Sequence, residues 1–140
     1  MATVFTRIIR GELPGRFVWK DEEAVAFLTI NPIRPGHTLV VPRQEIDHWL
    51  DLPPALLAHL SVVAQSVGRG IERVFRPVRV GVIVAGLEVP HVHIHLIPVQ
   101  GLGDFNFSKA DQNPDPKLLD RAAADIRAAL RAAGHAHASD

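Results

Sequence analysis

The chain has no cysteine, no tyrosine and a single methionine in 140 residues. Without cysteine, disulfides and cysteine-ligated zinc are excluded. No apolar run approaches the roughly 20 residues of a membrane-spanning helix. Met1 to Arg10 lacks the apolar core of a signal peptide. The expectation is a cytoplasmic protein with no membrane partner. An excess of charge of either sign is also missing, because 15 Lys and Arg offset 15 Asp and Glu. Nothing in that balance points to nucleic acid. A small anionic ligand stays open, since it needs only a local site. With 47% hydrophobic and 21% charged residues, residues 1–140 read as one domain around one core.

The pattern of apolar residues places the elements. A short helix is expected over Val4 to Arg10, stopped by Gly11. Arg16 to Lys20 and Ala24 to Leu28 read as two strands joined by the polar turn Asp21-Glu22-Glu23. Asn31 to Gly36, with two prolines and a glycine, reads as a loop. Thr38 to Val41 reads as a buried strand ended by Pro42. Leu56, Leu57, Leu60, Val63, Ala64, Val67, Ile71 and Val74 recur at intervals of three and four, the stripe of an amphipathic helix with Pro53 and Pro54 at its first turn. Val78 to Ala85 reads as a central strand, and His91 to Ile97 as another, ended by Pro98. Pro116 to Ala133 reads as a C-terminal helix with Leu118, Leu119, Ala122, Ile126 and Leu130 on one side, and residues 134–140 as a flexible tail. Strands mostly in a row with few helices imply an α+β fold, an antiparallel sheet of about five strands with helices packed on one face.

His91-Val92-His93-Ile94-His95-Leu96-Ile97 alternates with period two. In a strand, His91, His93 and His95 share one face, and Val92, Ile94 and Leu96 face the core. Each neutral ring brings one donor and one acceptor nitrogen and titrates near neutral pH. The spacing alone admits three readings: a catalytic nucleophile with helpers, a metal site, or a solvated face that happens to carry histidines. His37, at the start of a strand beside a glycine-proline loop, is a further candidate. His48, His59, His135 and His137 read as structural or solvated.

The run His91 to Ile97 resembles the signature of the histidine triad (HIT) family of nucleotide hydrolases and transferases. Phe5-x-x-Ile8-Ile9-x-Gly11-Glu12-x-Pro14 resembles the family's opening, Ala26-Phe27-Leu28-x-Ile30-Asn31-Pro32 its second segment, and Pro35 to Pro42 the segment with its upstream histidine. The likeness covers about residues 4–105. It implies a HIT-like fold, commonly a homodimer, acting on a purine nucleotide without cofactor or metal. His93 would attack the α-phosphorus of a nucleotide phosphoramidate, ester or polyphosphate, giving a nucleotidyl-histidine intermediate. His91 would orient His93, and His95 and His37 would bind phosphate or leaving-group oxygens. Phe5, Ile8, Phe27, Ile30, Thr29, Leu87 and Glu88 would line the nucleotide site.

Two positions depart from the family. Where members commonly carry Asp or Asn to hold the ribose hydroxyls, this chain has Thr29, which cannot accept two bonds as a carboxylate does. Where Gly-Gln-Ser or Gly-Gln-Thr touches phosphate, this chain has Gly86-Leu87-Glu88. A carboxylate repels phosphate, so Glu88 points away, pairs with a base such as Arg34, or marks a different substrate, while the loop amides still offer an anion nest. These departures keep a second reading alive, a nucleotide-binding module without catalysis. A metal-dependent hydrolase with His37, His91, His93 and His95 as ligands is the third.

Overall fold

The computed structural model describes residues 1–140. Helix α1 spans Val4–Ile9. The sheet is built from β1 (Phe17–Lys20), β2 (Ala24–Leu28), β3 (Thr38–Pro42), β4 (Arg79–Ile83) and β5 (Ile94–Val99), with α2 (Pro54–Phe75) between β3 and β4 and α3 (Pro116–Ala132) last. All pairings are antiparallel and the strand order is β1-β2-β3-β5-β4. The expected α+β architecture is what forms.

The two long helices cover one face of the sheet. Leu60, Val63, Val67 and Ile71 of α2 and Ile126 and Leu130 of α3 pack on Ala24, Ala26, Val40, Ile94 and Leu96. Burying each large aliphatic side chain there contributes about 1.5–3 kcal/mol. The alternate residues Val25, Phe27, Leu39 and Val41 face the other way, where Phe5 of α1 covers them. Period-two alternation therefore divides the sheet between a structural face and a face that carries the histidines. Thr3 caps α1 by accepting from the Thr6 amide, and Gly11 ends the segment at φ +80°.

Four expectations need correction. The Val78 to Ala85 segment forms an edge strand, β4, and not a central one. Its valines signal β-structure equally well for either place, and Val82 remains 60% exposed. Pro98 lies inside β5 opposite Val80 instead of ending it. The β3 pairing stops at Leu96, so Pro98 has a neighbour on one side only and removes no bond from a second ladder. Leu118, placed on the buried side of α3, is 65% exposed, while Leu119 beside it is buried. The tail does not fray: the Lys20 amide donates to the His137 carbonyl and the Ser139 amide to the Val18 carbonyl, and Ala138 bridges Trp19 along β1. No helix is long and apolar enough to cross a membrane.

Candidate active site

His91 and His93 stand just before β5, where neither neighbour supplies a ladder. Val40 is paired opposite Ile94 and Ile83 opposite His95. The chain is held there by the Val92 amide on the Ile46 carbonyl and by the histidine rings themselves. Alternation continues through the segment, and Val92 joins the core beneath α2. All four histidines, His37, His91, His93 and His95, are buried.

The hydrogen bonds fix every tautomer. The His93 Nδ1 lies 2.7 Å from the His91 carbonyl, which can only accept. His93 is thus protonated at Nδ1 and keeps a lone pair on Nε2. The backbone carbonyl of His91, and not its ring, orients the ring of His93. The His91 Nε2 donates to the Pro42 carbonyl at 2.8 Å, and its Nδ1 accepts from the Thr3 hydroxyl at 2.7 Å. On the other flank, the Ile33 amide donates to His37 Nδ1 at 3.1 Å. His37 must then carry its proton on Nε2, which donates to His95 Nδ1 at 2.9 Å. His95 is left with its proton on Nε2. The site therefore combines one free lone pair, on His93, with one free N–H, on His95.

Burial pushes all four rings toward the neutral form. It is the main cause for His37, lowered to about 4, and for His95, lowered to about 3, with nearby histidines adding to it. His91 and His93 are lowered too, chiefly by burial, which their bonds to carbonyls oppose. A neutral His93 is the form that can attack.

A cavity of about 560 Å³ opens on His93 and His95. Phe5, Ile8, Phe27, Thr29, Ile30 and Glu88 all line it. The Phe5 ring meets Phe27 edge-on at 5.6 Å and His93 at 4.9 Å. Thr29 Oγ1 accepts from the Asn31 amide. Leu87 is elsewhere: it is exposed and borders a smaller cavity of about 280 Å³ with Asp47, His48 and Trp49. That cavity reaches the far side of His93, so the loop 86–88 divides the two, with Leu87 and Glu88 pointing to different sides. His37 lines neither cavity. Its two nitrogens are taken by Ile33 and His95, which removes it from the groups that meet substrate directly. Arg34 lies 4.0 Å from Asp104 and does not pair with Glu88.

Several contributors escaped the sequence reading. Glu45 accepts from the Thr3 amide and the Thr6 hydroxyl, 2.8 and 2.7 Å, and so ties α1 to the His91 flank. These bonds, the Thr3 amide first, hold the Glu45 carboxyl at about 2. Phe107 packs edge-on against His95 at 5.0 Å. Arg16 and Asp120, paired at 2.7 Å, close the pocket rim between β1 and α3. Only Thr3 had a readable signal, as an N-cap residue directly before an apolar helix. No group of three or more His, Asp or Glu side chains is arranged to hold a metal ion.

A buried triad on an antiparallel sheet, with one free imidazole lone pair facing a cleft, defines a histidine-triad α+β protein. The HIT domain matches residues 10–102. An uncharacterized HIT-like protein of Methanocaldococcus jannaschii is 36% identical over 99 residues, covering 68% of this chain and 77% of its own. The asymmetrical bis(5′-nucleosyl)-tetraphosphatase of Schizosaccharomyces pombe is 36% identical over 85 residues, 57% of this chain and 47% of its own. The structure of a hypothetical histidine triad nucleotide-binding protein from Sulfolobus tokodaii superimposes with a TM-score of 0.82 at 29% identity, covering 91% of each chain. The chain belongs to the HIT family, within the nucleotide-binding hydrolase and transferase superfamily.

Proposed function

We propose that the protein is a nucleotide hydrolase or nucleotidyl transferase that works through a covalent intermediate on His93. One observation carries this reading: the bond from His93 Nδ1 to the His91 carbonyl leaves the Nε2 lone pair free at the wall of the pocket. The base and sugar of a purine nucleotide would occupy the pocket between Phe5, Ile8, Phe27 and Ile30, with Thr29 near the ribose. The α-phosphorus would then stand before Nε2. Attack forms the N–P bond, and the bond to the leaving group breaks with its electron pair going to that group. The His95 Nε2–H donates to a phosphate oxygen as charge gathers there, a contribution of about 2.7–4 kcal/mol for a well-placed donor. Water or a second substrate then releases the nucleotide.

Splitting one displacement into two gives the enzyme an isolable intermediate. The test is mass spectrometry of intact protein after brief exposure to adenosine and guanosine nucleotide substrates. A nucleotidyl adduct on the native chain, absent from His93→Ala, is the expected result. Full turnover by His93→Ala would sink the idea. The alternative, a nucleotide-binding module without catalysis, is supported by Thr29 and Glu88, and predicts tight binding of AMP or GMP with no adduct.

The reading extends to a homodimer acting in the cytoplasm. The support is the unpaired edge of β4, where Val82 lies exposed, as does Val78 just before the strand. Such an edge invites pairing with another strand.

A further inference from the structure

The pocket in front of His93 is poor in positive charge. Its one basic side chain, Arg16, is already paired with Asp120 at 2.7 Å. Glu88 and Asp120 line the same pocket. The smaller cavity on the other side of His93 adds Asp47 and no lysine or arginine. The histidines do not redress the balance, because burial keeps His37 and His95 neutral at physiological pH. Glu88 takes part in none of the chain's ion pairs. Its charge reaches His93, where it favours the protonated ring against the effect of burial.

These signs matter for the leaving group. A polyphosphate leaves as a polyanion and needs cations to receive it. Here it would meet a free carboxylate. A nitrogen bridging to phosphorus is different, because it leaves well only after protonation, when the departing atom is positive. A nearby carboxylate stabilises that form.

We propose that Glu88 is a specificity-determining residue that selects nucleoside phosphoramidates, whose departing nitrogen is cationic, and rejects nucleoside polyphosphates. The proposal rests on the nucleotidyl-transfer reading above. In the step it favours, the His93 Nε2 lone pair forms the N–P bond. The substrate's P–N bond breaks, and its electron pair passes to the protonated nitrogen, which leaves as a neutral amine. Water then adds its oxygen to phosphorus, the His93–P bond returns its pair to Nε2, and one proton goes to solvent.

Glu88 is exposed and makes no bond that holds the fold together, so its substitution isolates the charge. Native protein, E88Q and E88D are compared on adenosine 5′-phosphoramidate and diadenosine tetraphosphate. The p-nitrophenyl ester of AMP, whose leaving group needs no proton, normalises for any general change in turnover. Native protein should prefer the phosphoramidate. The ratio of kcat/KM, phosphoramidate over tetraphosphate, should fall at least about tenfold in E88Q, and E88D should restore most of it. An unchanged ratio overturns the proposal, as does a native preference for the tetraphosphate. E88D, which keeps the charge, reads the ratio even where E88Q folds poorly: a ratio in E88D as low as in an uncharged variant counts against the charge. If native protein turns over none of the three substrates, or His93→Ala matches it on all of them, the nucleotidyl-transfer reading fails and this proposal with it.

Discussion

His37 donates from Nε2 to Nδ1 of His95 across 2.9 Å, and its own Nδ1 is taken by the Ile33 amide. No nitrogen of His37 is left to meet a phosphate. Its role follows from what it imposes: His95 must present an N–H to the pocket. His37→Ala frees His95 to adopt the other tautomer and leaves a buried acceptor unpaired, at a cost of about 1–3 kcal/mol. We expect kcat to fall about 10–100-fold, less than the loss of a direct transition-state donor, with KM nearly unchanged. His37→Gln, which keeps a donor, should recover part of the rate. Steady-state kinetics with ¹⁵N spectra of the His95 ring read both effects. A rise in KM with kcat intact would instead make His37 a substrate ligand.

The Thr3 hydroxyl serves two partners, accepting from the Thr6 amide as the cap of α1 and donating to His91 Nδ1. Thr3→Val removes both while keeping the side chain's shape. A lost N-cap costs about 0.5–2 kcal/mol. α1 carries Phe5, whose ring packs on His91 and His93, so the damage should appear at the pocket wall. The expected outcome is a lower melting temperature together with faster amide exchange in α1 and weaker nucleotide binding. Unchanged exchange in α1 would show that Phe5 packing and the Glu45 bonds seat the helix without the cap.

What could be read in advance was whatever repeats. The 3.6-residue stripe of α2 and the two-residue alternation of His91 to Leu96 are local, and both placed their side chains on the faces found. Phe5, Ile8, Phe27, Ile30 and Glu88, drawn from separate segments of the chain, meet in one pocket. Contacts set by pairing order were not legible. The β4 valines look the same on an edge or in the centre. The partnership of Glu45 with Thr3 and Thr6 spans 42 and 39 residues and follows from where β3 delivers the chain. The tail looked free because nothing in its sequence shows that β1 has an open edge to pair with. The role of His37 turned on which nitrogen faces which partner, a matter of geometry.

Gly36 precedes His37 and cannot be replaced without strain. Its φ is +95°, and a Cβ there would lie 2.7 Å from the Phe75 ring at the end of α2. A side chain in that backbone region costs about 1 kcal/mol or more, and moving a packed ring adds about 1–3 kcal/mol. Gly36→Ala should therefore destabilise the protein by about 2–4 kcal/mol. It should also disturb the His37–His95 bond, since His37 is the next residue. Urea unfolding measures the first effect and the His95 ring shifts the second. A loss under half a kcal/mol would mean that the loop relaxes freely.

The open edge of β4 supports the dimer reading, and Val82 is its most direct probe. Val82→Lys places a charge on an exposed position of that strand, which blunts edge pairing. Because Val82 already faces solvent in one copy, the fold of the protomer should keep its stability within about 0.5 kcal/mol. Analytical ultracentrifugation should find native protein as a dimer and the variant as a monomer. Native protein that sediments as a monomer at micromolar concentration would remove the dimer from the proposal.

Burial of His37 and His95 makes the fold sensitive to mild acid. Both rings lie below their ordinary value of 6.5, at about 4 and about 3, burial being the larger cause in each. In the unfolded chain they titrate near 6.5. Between that value and the folded ones, the unfolded state binds protons that the folded state refuses. Stability is therefore full above about pH 6.5 and falls as the pH drops toward 4. The two rings share a hydrogen bond and repel when charged, so their contributions are not additive, and the joint loss is on the order of a few kcal/mol. Glu45, held at about 2, acts in a separate window: its contribution is fully present above the ordinary carboxylate value and is lost progressively as pH falls from there through about 2. Urea midpoints taken from pH 8 to pH 5 should decline below about 6.5, before any carboxylate titrates. A His37→Gln, His95→Gln double variant should flatten that decline. A native midpoint that stays level down to pH 5 would mean that the buried rings are protonated in the folded state, and the tautomer chain from Ile33 through His37 to His95 would have to be abandoned.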